Sequence, residues 1–117
     1  MAEPTVTVQL LIYSGRRDPH WNVHGAEAQR IKDVLEKTAR GEATHRPSMG
    51  GLGYRGFLID VDGKQYRVFR GQVTESPGAR ERYFVDTAGL ESELLTAAAR
   101  HGEAAEALRA FRVEDEK

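Results

Sequence analysis

The chain has 117 residues, 39% hydrophobic and 30% charged, with a formal net charge of −1 and no cysteine. This length suits one compact domain spanning residues 1–117, able to bury roughly two thirds of its unfolded surface without staples. Lack of cysteine excludes disulfides, thiolate metal sites and a Cys nucleophile, while the near-neutral balance argues against a general nucleic-acid binder. No apolar run approaches the roughly 20 residues of a membrane-spanning helix, and Met-Ala-Glu-Pro does not read as a signal peptide. A cytoplasmic protein without membrane contact is the expectation.

Val6, Val8, Leu10 and Ile12 alternate with Thr5, Thr7 and Gln9, which predicts a strand over 5–13 with one buried face. Leu11 and Tyr13 make the second face apolar near its end, as in a central strand covered there by another element. Ser14-Gly15 stops the strand and Asp18-Pro19 makes a turn. Asn22 or His24 is then expected to cap a helix over about 25–40. Its stripe is Ala28, Ile31, Val34, Leu35 and Thr38, with Lys37 and Arg40 in the last turn and Gly41 beyond it.

Residues 42–55 read as a long loop with Pro47, Gly50, Gly51 and Gly53, and Gly56 just beyond it. Loops this long in small domains are often functional. Phe57–Val61, Asp62-Gly63 and Gln65–Val73 form a predicted hairpin. A two-residue loop pairs Ile59 with Tyr66 and Phe57 with Val68 on one face, and Leu58 with Arg67 on the other. Gly71 is read as a bulge. Ser76-Pro77-Gly78 is a turn and Tyr83-Phe84-Val85 a short strand. Asp86 or Thr87 caps a second helix with stripe Leu90, Leu94, Leu95 and Ala98. His101-Gly102 closes it, and Ala104, Leu108 and Phe111 mark a third helix before the solvated tail 114–117.

The order predicts an α+β fold. The sheet is expected to be small, antiparallel or mixed, with three to four strands and two to three helices packed on one face.

Four patterns invite chemistry. Gly51-Leu52-Gly53-Tyr54-Arg55-Gly56 has the glycine spacing of a dinucleotide fingerprint. It lacks the strand before and the helix after that put a helix N-terminus on the pyrophosphate. Positive φ angles or close backbone approach account for these glycines more simply. His20 and His24 are four apart, but Pro19 and Gly25 flank them and no zinc-protease Glu intervenes, so neither a metal nor another cofactor is expected. Ser14 lacks both glycines of a nucleophile elbow, with Ile12 and Arg16 in their places. Asp60 and Asp62 sit at the hairpin turn, where a turn role suffices.

Arg16, Arg17 and Asp18 suit an anion site, since guanidinium grips carboxylate or phosphate bidentately. Arg55 joins them if the two loops meet. The plainer role for Arg16 is pairing with Asp18 to fix the turn. Trp21 is expected to pack over the sheet end against Leu11 or Tyr13, or to floor a ligand pocket. Arg67, Arg70, Arg80 and Arg82, partly balanced by Glu75 and Glu81, make either a solvated sheet face or a weak basic patch for RNA or an acidic partner.

Tyr13-Ser14-Gly15-Arg16-Arg17-Asp18-Pro19-His20-Trp21 resembles the opening of a group of small, mostly uncharacterised bacterial proteins. These carry aromatic-Ser-Gly-Arg-Pro-Asn/Asp-Pro-x-Trp after a first strand and a downstream Leu-Gly-Tyr-Arg-Gly-Phe, here Leu52–Phe57. The resemblance covers roughly the first half of the chain and departs at Arg17, where the group has Pro. It implies no catalytic residues. It implies that the two blocks form one site.

The expected function is therefore a non-catalytic binding module for a partner protein or small anionic ligand. Its edge would be built from 14–21 and 50–56, with Arg16, Trp21, Tyr54 and Arg55 as contacts. The alternative is a cofactor-independent enzyme. There His20 or His24 would be general base, Arg16 and Arg55 would stabilise negative charge, and Tyr54 would serve as acid.

Overall fold

A computed structural model describes residues 5–12, 18–45, 54–76 and 80–111. Its strands are β1 (Val6–Leu10), β2 (His20–Val23), β3 (Phe57–Val61), β4 (Lys64–Phe69), β5 (Gln72–Glu75) and β6 (Arg82–Val85). The helices are α1 (Gly25–Thr38), between β2 and β3, then α2 (Leu90–Ala98) and α3 (Gly102–Phe111) after β6. The strands form one sheet in the order β2-β1-β3-β4-β5-β6, with every neighbouring pair antiparallel. The α+β class holds, but the described residues form six strands where three or four were expected.

Both extra strands have a physical reason. β2 is an edge strand, so only Val23 is fully buried while His20 and Asn22 are exposed. A polar, half-solvated strand after Pro19 carries little alternation and reads as a turn. Asn22 is thus not a helix cap: its side chain accepts a hydrogen bond from the Thr7 hydroxyl at 3.1 Å. His24 takes the N-cap position of α1 without a side-chain bond. The expected return strand 65–73 is two strands, folded back at Arg70-Gly71, where φ is +51° and +76°. Arginine is not among the residues that usually open such a turn, so the hairpin had no sequence signal.

The Asp62-Gly63 hairpin has the predicted register, with Phe57 opposite Val68, Ile59 opposite Tyr66 and Leu58 opposite Arg67. One sheet face supplies Val6, Val8, Leu10, Phe57, Ile59, Val68 and Val73 to a single buried cluster. Ala28, Ile31 and Leu35 of α1, Leu90, Leu94 and Ala98 of α2, and Ala104, Ala107 and Leu108 of α3 complete it. Each large apolar side chain buried there contributes about 1.5–3 kcal/mol. The helices therefore cover one face of the sheet.

Residues 42–44 lie along the sheet edge at β6. Thr44 N–H donates to the Tyr83 carbonyl at 2.8 Å, and Val85 N–H donates to Glu42 at 3.0 Å. The Asp86 carboxylate holds the first turn of α2, accepting from Leu90 N–H at 2.8 Å and Glu91 N–H at 2.9 Å. Among the described residues, no helix is long and apolar enough to cross a membrane.

Candidate functional site

Pro19 and Arg55-Gly56, described residues of the two sequence blocks, flank the end of β1. Leu10 N–H donates to the Pro19 carbonyl at 2.9 Å on one side. On the other, Leu11 is opposed by two residues: it accepts from Arg55 N–H at 2.7 Å and donates to the Gly56 carbonyl at 2.9 Å. Two residues facing one make a β-bulge, a device that re-aims a side chain. Gly56 has φ +91°, and a Cβ there would overlap the Val68 carbonyl oxygen and the Phe69 Cβ. Only glycine fits this close approach.

Arg55 leaves the bulge toward Asp18. The two side chains lie 3.8 Å apart, and Asp18 is mostly buried at 11% exposure against 34% for Arg55. The other Asp18 oxygen accepts from Ile12 N–H at 3.0 Å, which ties the Asp18-Pro19 turn to the strand end. Asp18 and Arg55 thus stand within ion-pair range of each other.

Arg67 is the neighbour that the loop-based reading did not include. The hairpin register puts it opposite Leu58, on the face away from the helices. Its Nε and Nη2 donate to the Arg55 carbonyl at 3.3 and 3.0 Å. Its guanidinium also lies over the Phe69 ring, 5.3 Å from the centroid, with Arg70 over the same ring at 5.1 Å. Burial holds the Arg67 pKa below the usual arginine value, the nearby Arg55 charge lowers it further, and Glu81 partly opposes this. Arginine stays protonated throughout. One corner of the sheet thus holds two guanidinium charges close enough to repel, with Asp18 and Glu81 as nearby acids.

Across the same face, cross-strand pairing aligns His20, Gln9, Leu58, Arg67, Thr74 and Tyr83 in one row. Thr74 is buried beside Arg67, and the Tyr83 hydroxyl donates to Glu81 at 2.6 Å. His20 and His24 are both exposed. Among the described residues, no three His, Asp or Glu side chains converge to hold a metal.

The remaining predicted residues go elsewhere. Arg16, with Ser14, Gly15, Gly50, Gly51 and Gly53, lies outside the described residues. Trp21 pairs with Val8, so strand parity places it on the helix-covered face, opposite to Arg67. Its ring stacks on His101 at 4.6 Å and 16°, and meets Phe57 edge-on at 6.4 Å. Tyr54 turns into the body of the fold, edge-on to Phe57 and Phe69 at 6.0 and 5.6 Å. Its hydroxyl donates to Glu91 at 2.5 Å. Burial, reinforced by that bond, pushes its pKa far above the usual tyrosine value.

The four-arginine patch also divides. Arg82 pairs with Glu75 at 3.0 Å and covers Phe84, on the helix side of the sheet. A groove between α1 and α2 is bridged by Arg30 and Glu93 at 2.7 Å, where the two charges neutralise one another. At the Arg55–Arg67 corner the Arg55 charge lies near enough to lower the Arg67 pKa. Comparison with protein-family models, curated proteins and solved structures finds no match to this chain.

Proposed function

We propose that the protein is a non-catalytic binding module whose Arg55–Arg67 corner recognises an oxyanion, on a small ligand or on an acidic partner. The observation that carries this reading is the Arg67 guanidinium bonded to the Arg55 carbonyl at one bulged strand end, with the Arg55 charge near enough to lower the Arg67 pKa. A carboxylate or phosphate docked there would accept bidentate, charge-assisted bonds from the guanidiniums. The placement is already built: Leu11 fixes the Arg55 amide, and Phe69 supports the Arg67 plane. Preorganisation of this kind lowers the ordering cost of binding.

The enzyme alternative needs an imidazole at the same corner. His20 is three strand spacings from Arg67 along the row, about 14 Å at the usual interstrand distance. A general base there would have to come within hydrogen-bond reach of an anion held between the arginines.

NMR titration of the full chain with inorganic phosphate, and separately with a diglutamate peptide, tests the proposal. Shifts centred on Arg55, Arg67 and Asp18 are expected. Arg67→Lys removes the planar fork and should weaken binding about tenfold, or about 1.4 kcal/mol. A wild-type spectrum unchanged by either anion refutes the oxyanion reading. Comparison of the two titrations separates a phosphate from a carboxylate preference.

A further inference from the structure

Arg55 is fixed from every direction along its own backbone. Its N–H donates to Leu11 at 2.7 Å, and its carbonyl accepts from Arg67. After it, Gly56 has no room for a side chain. Before it, Tyr54 is inserted between Phe57 and Phe69 and tied by its hydroxyl to Glu91. Glu91 is itself anchored: its second oxygen accepts from Gly71 N–H at 2.9 Å in the β4–β5 turn. Its own backbone N–H is held by Asp86 at 2.9 Å. One carboxylate in the first turn of α2 therefore joins that turn, the Arg70-Gly71 hairpin and the residue next to Arg55.

We propose that Glu91, acting through Tyr54, is the positioning residue that sets Arg55 in the anion site. The proposal rests on the reading of the Arg55–Arg67 corner as that site. The physical argument is one of competing orientations. Arg55 is the first residue of the bulge, where the regular ladder is interrupted and the strand bends. Without the Glu91 bond, Tyr54 loses its tie to the first turn of α2, and its ring is held by packing on the two phenylalanines instead of by a directional bond. The Arg55 peptide then loses its anchor on the loop side. The site and the N-terminus of α2 are coupled by the same bond, so movement of α2 would alter the position of Arg55.

The test uses the full chain and two readouts, amide hydrogen exchange at Arg55 and the inorganic phosphate titration. Tyr54→Phe and Glu91→Ala should each speed exchange of the Arg55 amide about tenfold and weaken phosphate binding severalfold. The Val8 and Ile59 amides in the sheet centre should keep their wild-type rates. Glu91→Gln should behave as wild type, because its amide oxygen accepts from Gly71 while its NH2 donates to the Tyr54 oxygen. Wild-type exchange and affinity in Tyr54→Phe and Glu91→Ala overturn the proposal. Equal acceleration at Val8 and Ile59 also overturns it, since Glu91 would then act on global stability alone. If wild-type protein ignores phosphate, the oxyanion reading fails, and the positioning of Arg55 is judged by the exchange data.

Discussion

Replacing Gly56 with alanine tests the strand-end geometry on which the site depends. Two costs are expected. The backbone has φ +91°, a region where an L side chain costs about 1–2 kcal/mol. The added Cβ would also overlap the Val68 carbonyl oxygen and the Phe69 Cβ. Neither can retreat freely: Val68 sits in the β3–β4 ladder, and Phe69 is packed at 3% exposure. Forced overpacking of this kind costs about 1–3 kcal/mol. The total is about 3 kcal/mol, which for a chain of this length lowers Tm by about 12 °C.

Gly63→Ala is the internal control. Its φ is +88°, nearly the same, but a Cβ there meets nothing within 4 Å. It should lose only the conformational part, about 1–2 kcal/mol. The gain from a stiffer unfolded chain is common to both variants and cancels in the difference. Urea denaturation followed by far-UV circular dichroism measures both. Equal stabilities for Gly56→Ala and Gly63→Ala would refute the close approach of Gly56 to β4, and with it the bulge that aims Arg55.

Two further outcomes concern stability away from the corner. Asp86→Ala removes a carboxylate that holds both Leu90 and Glu91 N–H groups, and should cost about 1–2 kcal/mol in urea denaturation; Asp86→Asn should recover part of this. The Arg30–Glu93 bond holds the Glu93 carboxyl below its usual value of 4.5. A depressed carboxyl pKa contributes stability that is present above pH 4.5 and is lost as pH falls through the lower folded value. Wild type should therefore lose more stability than Glu93→Gln on acidification below pH 4.5. The difference should be small, because both side chains are substantially exposed, and should shrink in about 1 M salt. A difference that persists in high salt would contradict a surface ion pair.

How much was legible in the sequence follows from how local each signal is. The β1 alternation, the α1 stripe and the Asp62-Gly63 hairpin depend on residues close together in the chain, and the hairpin turn set the β4 partners of Phe57, Leu58 and Ile59. It even placed Arg67 opposite Leu58, away from the core. Its significance was hidden because nothing near Arg67 in sequence points to Arg55. Tyr54 and Trp21 were legible as important aromatics but not as to direction. Strand parity sends Trp21 to the helix side, and Glu91, far along the chain, draws Tyr54 inward.

The sequence by itself determined the α+β class, the apolar stripes of α1 and α2 and the register of the central hairpin, because periodicity and turn chemistry act over a few residues. The tertiary structure alone decided that β2 is a strand, that the chain reverses at Arg70-Gly71, and that Arg55 stands beside Arg67. Edge pairing, a bulge and a carboxylate reaching from another element are contacts between distant segments, and no local pattern encodes them.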